Sequence, residues 1–481
     1  MKKRYLFCAI LLGCAAIVSA KVKLPSLICD NMVIQQKTDV KLWGKANPGS
    51  EVSITPSWNN RTFTCKADND GNWLIKIASP EGGFTPYEIT FDDGERTTIK
   101  NVLAGEVWLA SGQSNMEMPL KGFPGCCVKN GVDEAIAASD IKSVRMFNVP
   151  KKQSYEPETE CEGRWMTTEN PIDVMEFSAT AWYYALSVSR ALHLPVGIVN
   201  CSYGGASVES WTNKELLETY PDISLKKDDI ENMTPWERPM LMYNAMFCPV
   251  KNYTVKGIIW YQGEANVGRH ETYAQRLANM VELWRKEMGL GEIPFYYVEI
   301  APYSYDEPRQ HEKSAYLREA QFKAQSLIPN SAMVCTNDLV EPFELHNIHP
   351  RDKRTVGNRL SYLALNLTYG MKQIVCFGPQ YKSVEFEGDT AYVSFDRLDM
   401  GICRNYDIRG FEVAGEDRVF YPADNVWLRW QTNHIVVSSK QVPKPVAVRY
   451  CFHDFQPGTM IGGNELPLVP FRTDNWEPEN K

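Results

Sequence analysis

The chain has 481 residues, of which 44% are hydrophobic and 23% are charged, and its formal net charge is -8. This length and composition predict a globular protein of about two to four domains with a sizeable buried core. The acidic balance argues against nucleic acid or an anionic membrane surface as a partner.

Residues 1–20 predict an export signal. The basic start Lys2-Lys3-Arg4 precedes an apolar stretch, Tyr5–Val18, that is too short to span a bilayer, and Val18-Ser19-Ala20 provides small residues for cleavage. We therefore expect a periplasmic or secreted protein without an integral membrane segment in its mature chain. A second interpretation is a lipoprotein anchored at Cys14, which ranks lower because Leu12 stands where a smaller residue is usual.

Residues 21–100 have the pattern of an all-β domain. Strand-like runs such as Val40–Trp43 and Trp73–Ile77 alternate with turn-forming segments such as Asn47-Pro48-Gly49 and Asp70-Gly71. A small β-sandwich of about 80 residues fits this pattern.

Residues 101–372 change to apolar strands that alternate with amphipathic helices, which predicts an α/β domain with a parallel sheet covered by helices on both faces. The predicted strands are Val107–Ala110, Val144–Val149, Val196–Asn200, Ile258–Tyr261, Phe295–Ile300 and Ala332–Thr336. The predicted helices are Ala179–Leu192, Tyr273–Met288, Ser314–Leu327 and Arg351–Leu367. Because such sheets bind ligands at the carboxyl ends of their strands, we expect the functional site there.

Residues 373–481 return to a β pattern, in runs such as Thr390–Phe395 and Val446–Cys451. This pattern predicts a second β-rich domain. We favour a structural role for it, with a role in shaping the substrate site as the alternative.

The segment Gly112-Gln113-Ser114-Asn115 follows the first predicted strand of the α/β domain and opens a helix. A serine on such a turn is presented outward beside backbone N–H groups, as a nucleophile requires. Taken alone, a helix N-cap is the commoner role of such a serine. The case for a nucleophile therefore depends on three later segments.

Two of these segments supply candidate oxyanion donors. Gly204-Gly205 forms a turn after the strand Val196–Asn200, and glycine lets a backbone N–H approach a developing oxyanion closely. Gln262 follows the next strand, where its amide could donate to the same charge, and Asn266 is a weaker candidate. Glu264 could order this loop or reach the substrate.

The last segment, His346–Lys353, follows the final predicted strand and places His349 where it could act as a general base for Ser114. His346 and His349 also have an H-x-x-H spacing that could suggest a metal. The sequence offers no nearby carboxylate–histidine set with helical spacing, so we expect neither a metal site nor a cofactor.

Together these segments resemble the SGNH hydrolase superfamily and, within it, the sialate O-acetylesterase family. The most specific blocks are Gly105–Met116, Tyr261-Gln262-Gly263-Glu264, Leu317–Gln321 and Ile348–Lys353. The resemblance implies an SGNH-type, flavodoxin-like three-layer fold and the removal of O-acetyl groups from sugars, foremost sialic acids. It makes Ser114 the nucleophile and His349 the base and later the acid. The implied oxyanion donors are the N–H groups of Ser114 and Gly205 and the side chain of Gln262.

One departure from that family concerns the group that orients His349. Related enzymes often carry an aspartate two or three residues before the catalytic histidine, whereas here those positions hold Asn347 and His346. The acidic candidates by proximity are Glu344, Asp338 and Asp352. We favour a main-chain carbonyl near His346 or Asn347, because either kind of acceptor would fix the histidine tautomer.

Several functions remain open at this point. Four side chains are candidates for stacking on a sugar or binding the carboxylate of a sialic acid, namely Trp211, Tyr203, Arg269 and Arg318. Packing is the commoner role of each of them except Trp211.

The same machinery would serve an acetyl esterase of xylan or another plant polysaccharide. A carbohydrate-binding protein with a decayed site is a further alternative, against which the retained Ser114 and His349 argue. The sequence indicates no oligomeric state.

Overall fold

A computed structural model describes residues 21–305, 312–398, 400–403, 407–429 and 431–476 of the chain. The predicted export signal, residues 1–20, lies outside the described residues. Within these ranges, no helix combines the length and the apolar character that crossing a membrane requires.

The N-terminal part consists of strands, as predicted. They are β1 (Val33–Gln35), β2 (Asp39–Lys45), β3 (Glu51–Pro56), β4 (Phe63–Lys66), β5 (Asn72–Ala78), β6 (Gly83–Asp92) and β7 (Arg96–Gly112). Strands β2 and β5 form one antiparallel pair, whereas β4, β3, β6 and β7 form a second antiparallel ladder, with β1 parallel to β7. Buried residues of both sheets, including Val40, Val52, Trp73 and Phe91, belong to one core.

Strand β7 connects this part to the rest of the molecule. Its first residues, Arg96–Asn101, are mostly exposed or half-buried, and every residue from Val102 to Gly112 is buried. Strand β7 includes residues 100 and 101, where the sequence pattern changes from all-β to alternating strands and helices. The N-terminal strands and the central sheet are therefore joined by a continuous strand rather than by a linker.

The central part alternates strands and helices. Its further strands are β8 (Val144–Asn148), β9 (Trp165–Met166), β10 (Val196–Ser202), β11 (Gly257–Tyr261), β12 (Phe295–Val298) and β13 (Ser331–Val334). Its helices are α1 (Ser114–Glu117), α2 (Gly131–Ala137), α3 (Pro171–Met175), α4 (Ala179–Leu192), α5 (Lys214–Leu217), α6 (Lys227–Asn232), α7 (Cys248–Val250), α8 (His270–Met288), α9 (Lys313–Leu327) and α10 (Lys353–Leu363).

The central sheet has the order β13-β12-β11-β7-β10-β8, with all neighbours parallel, and β9 adds an antiparallel edge. If the edge strands β8 and β9 are set aside, the remaining five strands follow the flavodoxin-like order 2-1-3-4-5 of doubly wound sheets. In that order the winding reverses between β7 and β11. Ligand sites of such sheets lie in the crevice at the carboxyl ends of those strands.

Helices cover both faces of the central sheet, which confirms the prediction. Alternate residues of a strand point to opposite faces. Trp108 and Tyr296 pack with helices α4 and α10, whereas Leu109 and Phe295 pack with helices α8 and α9. Each strand therefore contributes to two hydrophobic cores.

The predicted helix limits are close to the observed ones. The predicted helix Ala179–Leu192 has the same bounds as α4. Helix α10 begins two residues after the predicted start Arg351, because the side chain of Asp352 caps it by accepting from Thr355 N at 2.9 Å. It ends in a wider helical turn, Ala364–Thr368.

The C-terminal part is rich in β-structure, as predicted. Its strands are β14 (Gln380–Glu387), β15 (Thr390–Asp396), β16 (Phe411–Ala414), β17 (Phe420–Pro422), β18 (Asn425–Arg429), β19 (His434–Ser438), β20 (Ala447–Tyr450) and β21 (Phe471–Arg472). They form two antiparallel sheets, β14-β15-β19-β18 and β17-β16-β20-β21, around a common core. Ser314 of α9 bonds Asp454 through its backbone N and its hydroxyl, at 2.7 and 2.8 Å, which attaches this part to the central domain.

A substitution tests the close packing of α4 against α10. A Cβ added at Gly357 would lie 2.6 Å from Thr180 O and 2.7 Å from Tyr183 Cβ. We expect Gly357→Ala to lower the free energy of unfolding by about 1–3 kcal/mol, because overpacking outweighs the better helix propensity of alanine. Urea unfolding followed by circular dichroism measures the change. Gly83→Ala is the control, since an added Cβ there meets nothing within 4 Å; equal stability of both variants would contradict the packing.

Candidate active site

Ser114 lies at the carboxyl end of β7, where a sharp turn leads into α1. Gly112 has φ +134°, and a Cβ on it would lie 2.1 Å from Tyr261 O, so only glycine fits there. Gln113 N donates to the same oxygen at 2.9 Å, which ties the turn to β11. Ser114 is half-buried and is the first residue of α1, so its own N–H has no acceptor within the helix.

The loop after β10 lies against this serine. Tyr203 N donates to Gly112 O at 3.1 Å, and a Cβ added at Gly204 would lie 3.5 Å from Ser114 Cβ. Gly204 N is occupied by Glu117 Oε2 at 2.5 Å. Gly205 has φ +80°, and in the described part of the chain its N–H has no acceptor. The N–H groups of Ser114 and Gly205 thus lie at this edge without an acceptor among the described residues.

Gln262 lies in a buried amide network behind the same edge. Its Nε2 donates to Asn266 Oδ1 at 2.7 Å, and its Oε1 accepts from the hydroxyl of Tyr273 at 3.0 Å. Asn266 Oδ1 also accepts from Val208 N at 3.1 Å, and Asn266 Nδ2 donates to Glu209 Oε2 at 3.0 Å. These partners determine which way both amides point. One N–H of Gln262 is therefore used by Asn266 and one is left for another acceptor.

The network ends on a buried ion pair. Glu209 accepts from Arg276 Nη1 at 2.8 Å and lies 3.6 Å from Arg269 Nη1. Burial alone would raise the pKa of Glu209, but the two arginines and Asn266 hold it below its ordinary value. Arg269 also donates to Ala265 O at 2.7 Å. The guanidinium of Arg269 is therefore occupied by Glu209 and by the carbonyl of Ala265. It is not presented as a free carboxylate-binding group.

Asn115, next to the serine, joins three separate segments of the sequence. Its Nδ2 donates to Glu264 Oε1 at 2.5 Å and to Ile348 O at 3.0 Å. Its Oδ1 accepts from Lys353 Nζ at 2.5 Å. Because Ile348 directly precedes His349, these bonds bring the predicted base to the loop of the predicted nucleophile. Asn115 and Lys353 both lie within the sequence motifs, which predict no role for either residue.

His349 is half-buried, with its ring edge-on to Phe123 at a centroid distance of 5.4 Å. Burial and the nearby charge of Lys353 lower the pKa of His349 from 6.5 to about 4. The imidazole is therefore neutral at pH 7 and able to accept a proton. Its backbone N donates to Asn347 Oδ1 at 3.1 Å, which shapes the loop locally.

The three acidic candidates for orienting His349 are engaged elsewhere. Asp338 binds Arg359 with both carboxylate oxygens, at 2.7 and 2.6 Å, and Asp352 caps α10. Glu344 accepts from the backbone N of Glu341 and of Arg351, at 3.0 and 2.9 Å. Among the hydrogen bonds and ion pairs of the described residues, none joins one of these three carboxylates to the His349 ring.

Two buried charged groups flank Asn115. Burial raises the pKa of Glu264, although Asn115 and Lys353 oppose the shift. Burial lowers the pKa of Lys353 to about 7, against the pull of Glu264 and Glu344. The hydrogen bond from Asn115 to Glu264 agrees with a loop-ordering role, which is one of the two roles that the sequence left open for Glu264.

Two predicted substrate residues are corrected by their burial. Trp211 is fully buried and packs edge-on against Trp260 and Trp284, at 6.3 and 6.0 Å, so it has no face to offer a sugar. Arg318 is 1% exposed and donates to the carbonyl of His453 at 2.5 Å. It therefore connects α9 to the C-terminal part and does not reach the site. The sequence pattern could not separate a packed tryptophan from a presented one.

The H-x-x-H pair His346 and His349 does not belong to a metal-binding cluster in the described ranges. There, no group of three or more His, Cys, Asp or Glu side chains is arranged to hold a metal ion. His346 is exposed and lies beside a cavity of about 280 Å³ lined also by Cys126 and Arg351.

Comparison with known proteins adds independent information. The family model described as "Carbohydrate esterase, sialic acid-specific acetylesterase" matches residues 104–366, which is more than half of the chain. The matched range begins within β7 and includes Ser114, Gly205, Gln262 and His349.

The similar proteins include mammalian enzymes and one solved bacterial structure. The chain is 27% identical to the sialate O-acetylesterase of Mus musculus over 419 residues, covering 74% of this chain and 75% of that protein. It is 27% identical to the Homo sapiens sialate O-acetylesterase over 426 residues, covering 81% and 79%. The crystal structure of XAC1771, a carbohydrate acetylesterase from Xanthomonas citri, aligns with TM-score 0.83 and 31% identity over 95% of this chain and 100% of that chain.

The electrostatic environment of His349 can be tested by titration. Its ring should titrate near pH 4, and Lys353→Met should raise that pKa toward 6.5, because a nearby positive charge disfavours the imidazolium. NMR of ¹³C-labelled histidine follows the change, with His349→Gln assigning the signal. Lys214→Met, at an exposed lysine of α5, is the control. An unchanged His349 pKa in Lys353→Met would refute the electrostatic coupling.

Proposed function

The chain belongs to the sialic acid-specific acetylesterase family of carbohydrate esterases, and we propose that it removes O-acetyl groups from sialic acids by serine acyl transfer. The chain is a carboxylic ester hydrolase, because its family is one of carbohydrate esterases and its mammalian relatives are sialate O-acetylesterases. The strand order and the position of Ser114 after the first strand of the central domain support an SGNH-type fold for this chemistry.

The observation that carries the proposal is the bonding of Asn115. Asn115 directly follows Ser114, and its side-chain amide donates to the carbonyl of Ile348 at 3.0 Å. Ile348 directly precedes His349. The proposed nucleophile and base thus belong to loops that are directly bonded to each other. This edge of the sheet also contains the unoccupied N–H groups of Ser114 and Gly205.

In the first step His349 removes the hydroxyl proton of Ser114 as the oxygen attacks the acetyl carbonyl carbon. The carbonyl π electrons move to oxygen, and the N–H groups of Ser114 and Gly205 stabilise the oxyanion together with the remaining N–H of Gln262. When the tetrahedral intermediate collapses, the bond from the acetyl carbon to the sugar oxygen breaks. The sugar oxygen takes the proton from His349 and leaves as an alcohol.

The second step releases acetate. Water attacks the acetyl group on Ser114 while His349 takes one of its protons, and the same donors stabilise the second oxyanion. The ester bond to the serine then breaks, and the serine oxygen recovers the proton from His349. The low pKa of His349 keeps the ring in its proton-accepting form over the neutral pH range.

We propose a main-chain carbonyl of His346 or Asn347 as the acceptor that orients His349. The engagement of Glu344, Asp338 and Asp352 with other partners supports this choice. Glu264 has a positioning role in the proposal, since it accepts from the amide of Asn115 that holds the His349 loop.

Sialic acid as the substrate is supported by the family description and by the names of the mammalian relatives. The bacterial structural relative is named more broadly as a carbohydrate acetylesterase. Xylan or another acetylated plant polysaccharide is therefore the matched comparison substrate. Removal of acetyl groups from extracellular glycans also agrees with export, which we propose from the basic and apolar pattern of residues 1–20.

Replacement of the proposed nucleophile is the primary test. Ser114→Ala should lower kcat for acetate release from O-acetylated sialic acid by roughly 10⁴-fold or more, because the acyl-enzyme cannot form, and His349→Ala should cause a similar loss. Full activity in Ser114→Ala would exclude the mechanism.

The substrate has a separate test, in which acetate release from O-acetylated sialic acid and from acetylated xylan is compared by kcat/KM. A preference for xylan would overturn the sialate assignment.

A fluorophosphonate probe separates an enzyme from a binding protein with a decayed site. It should label the wild-type chain and leave Ser114→Ala unlabelled, because only an activated serine attacks the probe. No labelling of the wild-type chain would favour the binding protein.

The positioning role of Glu264 has its own test. Glu264→Ala should lower kcat by roughly 10–10²-fold with little change in KM, because the loops of the nucleophile and the base lose a shared anchor. Glu264→Gln should recover much of the activity, since its amide oxygen can still accept from Asn115. Glu271→Ala, at an exposed acid of α8, is the control. If Glu264→Gln is as impaired as Glu264→Ala, the charge rather than the hydrogen bond is essential.

A further inference from the structure

Trp236 is an exposed aromatic side chain beside the loop after β10, which itself lies against Ser114. It lies in a short helical turn, Pro235–Glu237, and 47% of its surface is exposed. Trp211 and Trp260, in contrast, are fully buried in the core. Aromatic side chains are frequent in the lining of small-molecule sites, so an exposed indole at this position is a candidate binding group.

One face of the Trp236 indole lies on Gly205. A Cβ added at Gly205 would lie 2.3 Å from Cδ1, 2.6 Å from Cγ and 2.9 Å from Nε1 of the indole. These three atoms are consecutive in the five-membered ring. An approach from the ring edge would place the two outer atoms much farther away than the middle one, so the glycine lies over the ring face. Because Gly205 covers this face, a flat ligand could stack only on the opposite face of the ring.

The turn that carries Trp236 is fixed from two directions. Ser210 Oγ donates to Trp236 O at 3.3 Å. Gln153 Nε2 donates to Pro235 O at 2.7 Å and to the hydroxyl of Tyr203 at 3.1 Å. The backbone of this turn is thus held before any ligand arrives, and a preorganised group loses less entropy on binding.

The indole of Trp236, called the platform below, contacts the loop that lies against Ser114. Gly205 carries both the proposed oxyanion N–H and the contact with Trp236. Gly204, its neighbour, lies against Ser114, with its Cβ position 3.5 Å from Ser114 Cβ. Ser114 and the indole of Trp236 therefore contact two consecutive residues of one loop.

We propose that Trp236 binds the pyranose ring of the acetylated sugar by stacking, and so replaces Trp211 as the sugar-binding tryptophan. This inference rests on the proposed function. A pyranose presents a face of C–H groups, which carry partial positive charge, and the indole face is negative. The exposed side of the indole offers a flat apolar surface to that face.

Polar groups beside the platform match the hydroxyl groups of a sugar. Lys151 Nζ bonds Glu117 Oε1 at 2.8 Å and lies 5.7 Å from the centroid of the Tyr203 ring. An aromatic surface bordered by a cation, an anion and a phenol is suited to a polyhydroxylated ligand and poorly suited to a purely apolar one.

Steady-state kinetics with two substrates tests the platform. Trp236→Ala should raise KM for O-acetylated sialic acid about tenfold, whereas kcat/KM for p-nitrophenyl acetate, which has no sugar ring, should fall much less. Trp236→Phe should recover part of the sugar selectivity. Trp427→Ala is the matched control, because this tryptophan is 51% exposed but belongs to β18 in the C-terminal part. Equal effects of Trp236→Ala on both substrates would overturn the proposal.

A binding measurement separates this inference from the proposed catalysis. Calorimetry of O-acetylated sialic acid with Ser114→Ala, and with Ser114→Ala combined with Trp236→Ala, gives the contribution of the indole without turnover. The double variant should bind about tenfold more weakly. Identical Kd values would refute the platform even if Ser114 proves to be the nucleophile. A weaker double variant would support the platform even if the acyl-transfer mechanism proves wrong.

Discussion

The hydrogen bonds of the Asn115 side chain are the interaction on which the site depends. Its amide is buried and donates to Glu264 and Ile348 while it accepts from Lys353. A buried amide needs all of these partners, because an unpaired polar group is costly away from water. The partners come from two later loops, so those loops take up their positions together with the one that carries Ser114. A carboxylate at this position could accept but not donate, and the loops would separate.

Buried charges at the same edge are balanced in two ways. Glu209 lies against Arg276 in a direct pair, whereas Glu264 and Lys353 are bridged by the neutral amide of Asn115. Removing one partner of a buried charged pair destabilises the fold by more than the intact pair stabilises it, because the other charge stays buried and unpaired. Such groups therefore favour the one geometry in which all partners are present. The charge of Lys353 has a further effect at a distance, because it helps to keep His349 neutral. The polar network therefore holds the loop of the proposed base and adds to the effect of burial, which is the larger cause of the low pKa of His349.

The outer parts of the molecule contribute differently to this site. Strand β7 extends from the N-terminal sheets to the turn at Gly112, so the nucleophile loop is built on the longest strand described. The C-terminal part contacts α9 through Arg318 and Ser314, which stabilises the domain on which the site lies. Trp236, in contrast, is added from a connecting segment between β10 and β11. The proposed catalytic groups thus lie in segments that follow strands of the sheet, and a connecting segment presents the surface that a ligand would meet.

The sequence by itself determined the alternation of strands and helices and the order of the four motif segments. Both depend on local chemistry, namely hydrophobic period, turn residues and caps, and α4 has the predicted bounds for that reason. It also placed Ser114 and His349 in segments that follow strands of the central sheet. The tertiary structure alone decided that Trp211 is core and Trp236 is exposed, since burial depends on neighbours that are distant in sequence. It alone showed that Asn115 joins the loops, because a hydrogen bond between residues far apart in the chain leaves no periodic trace in the sequence.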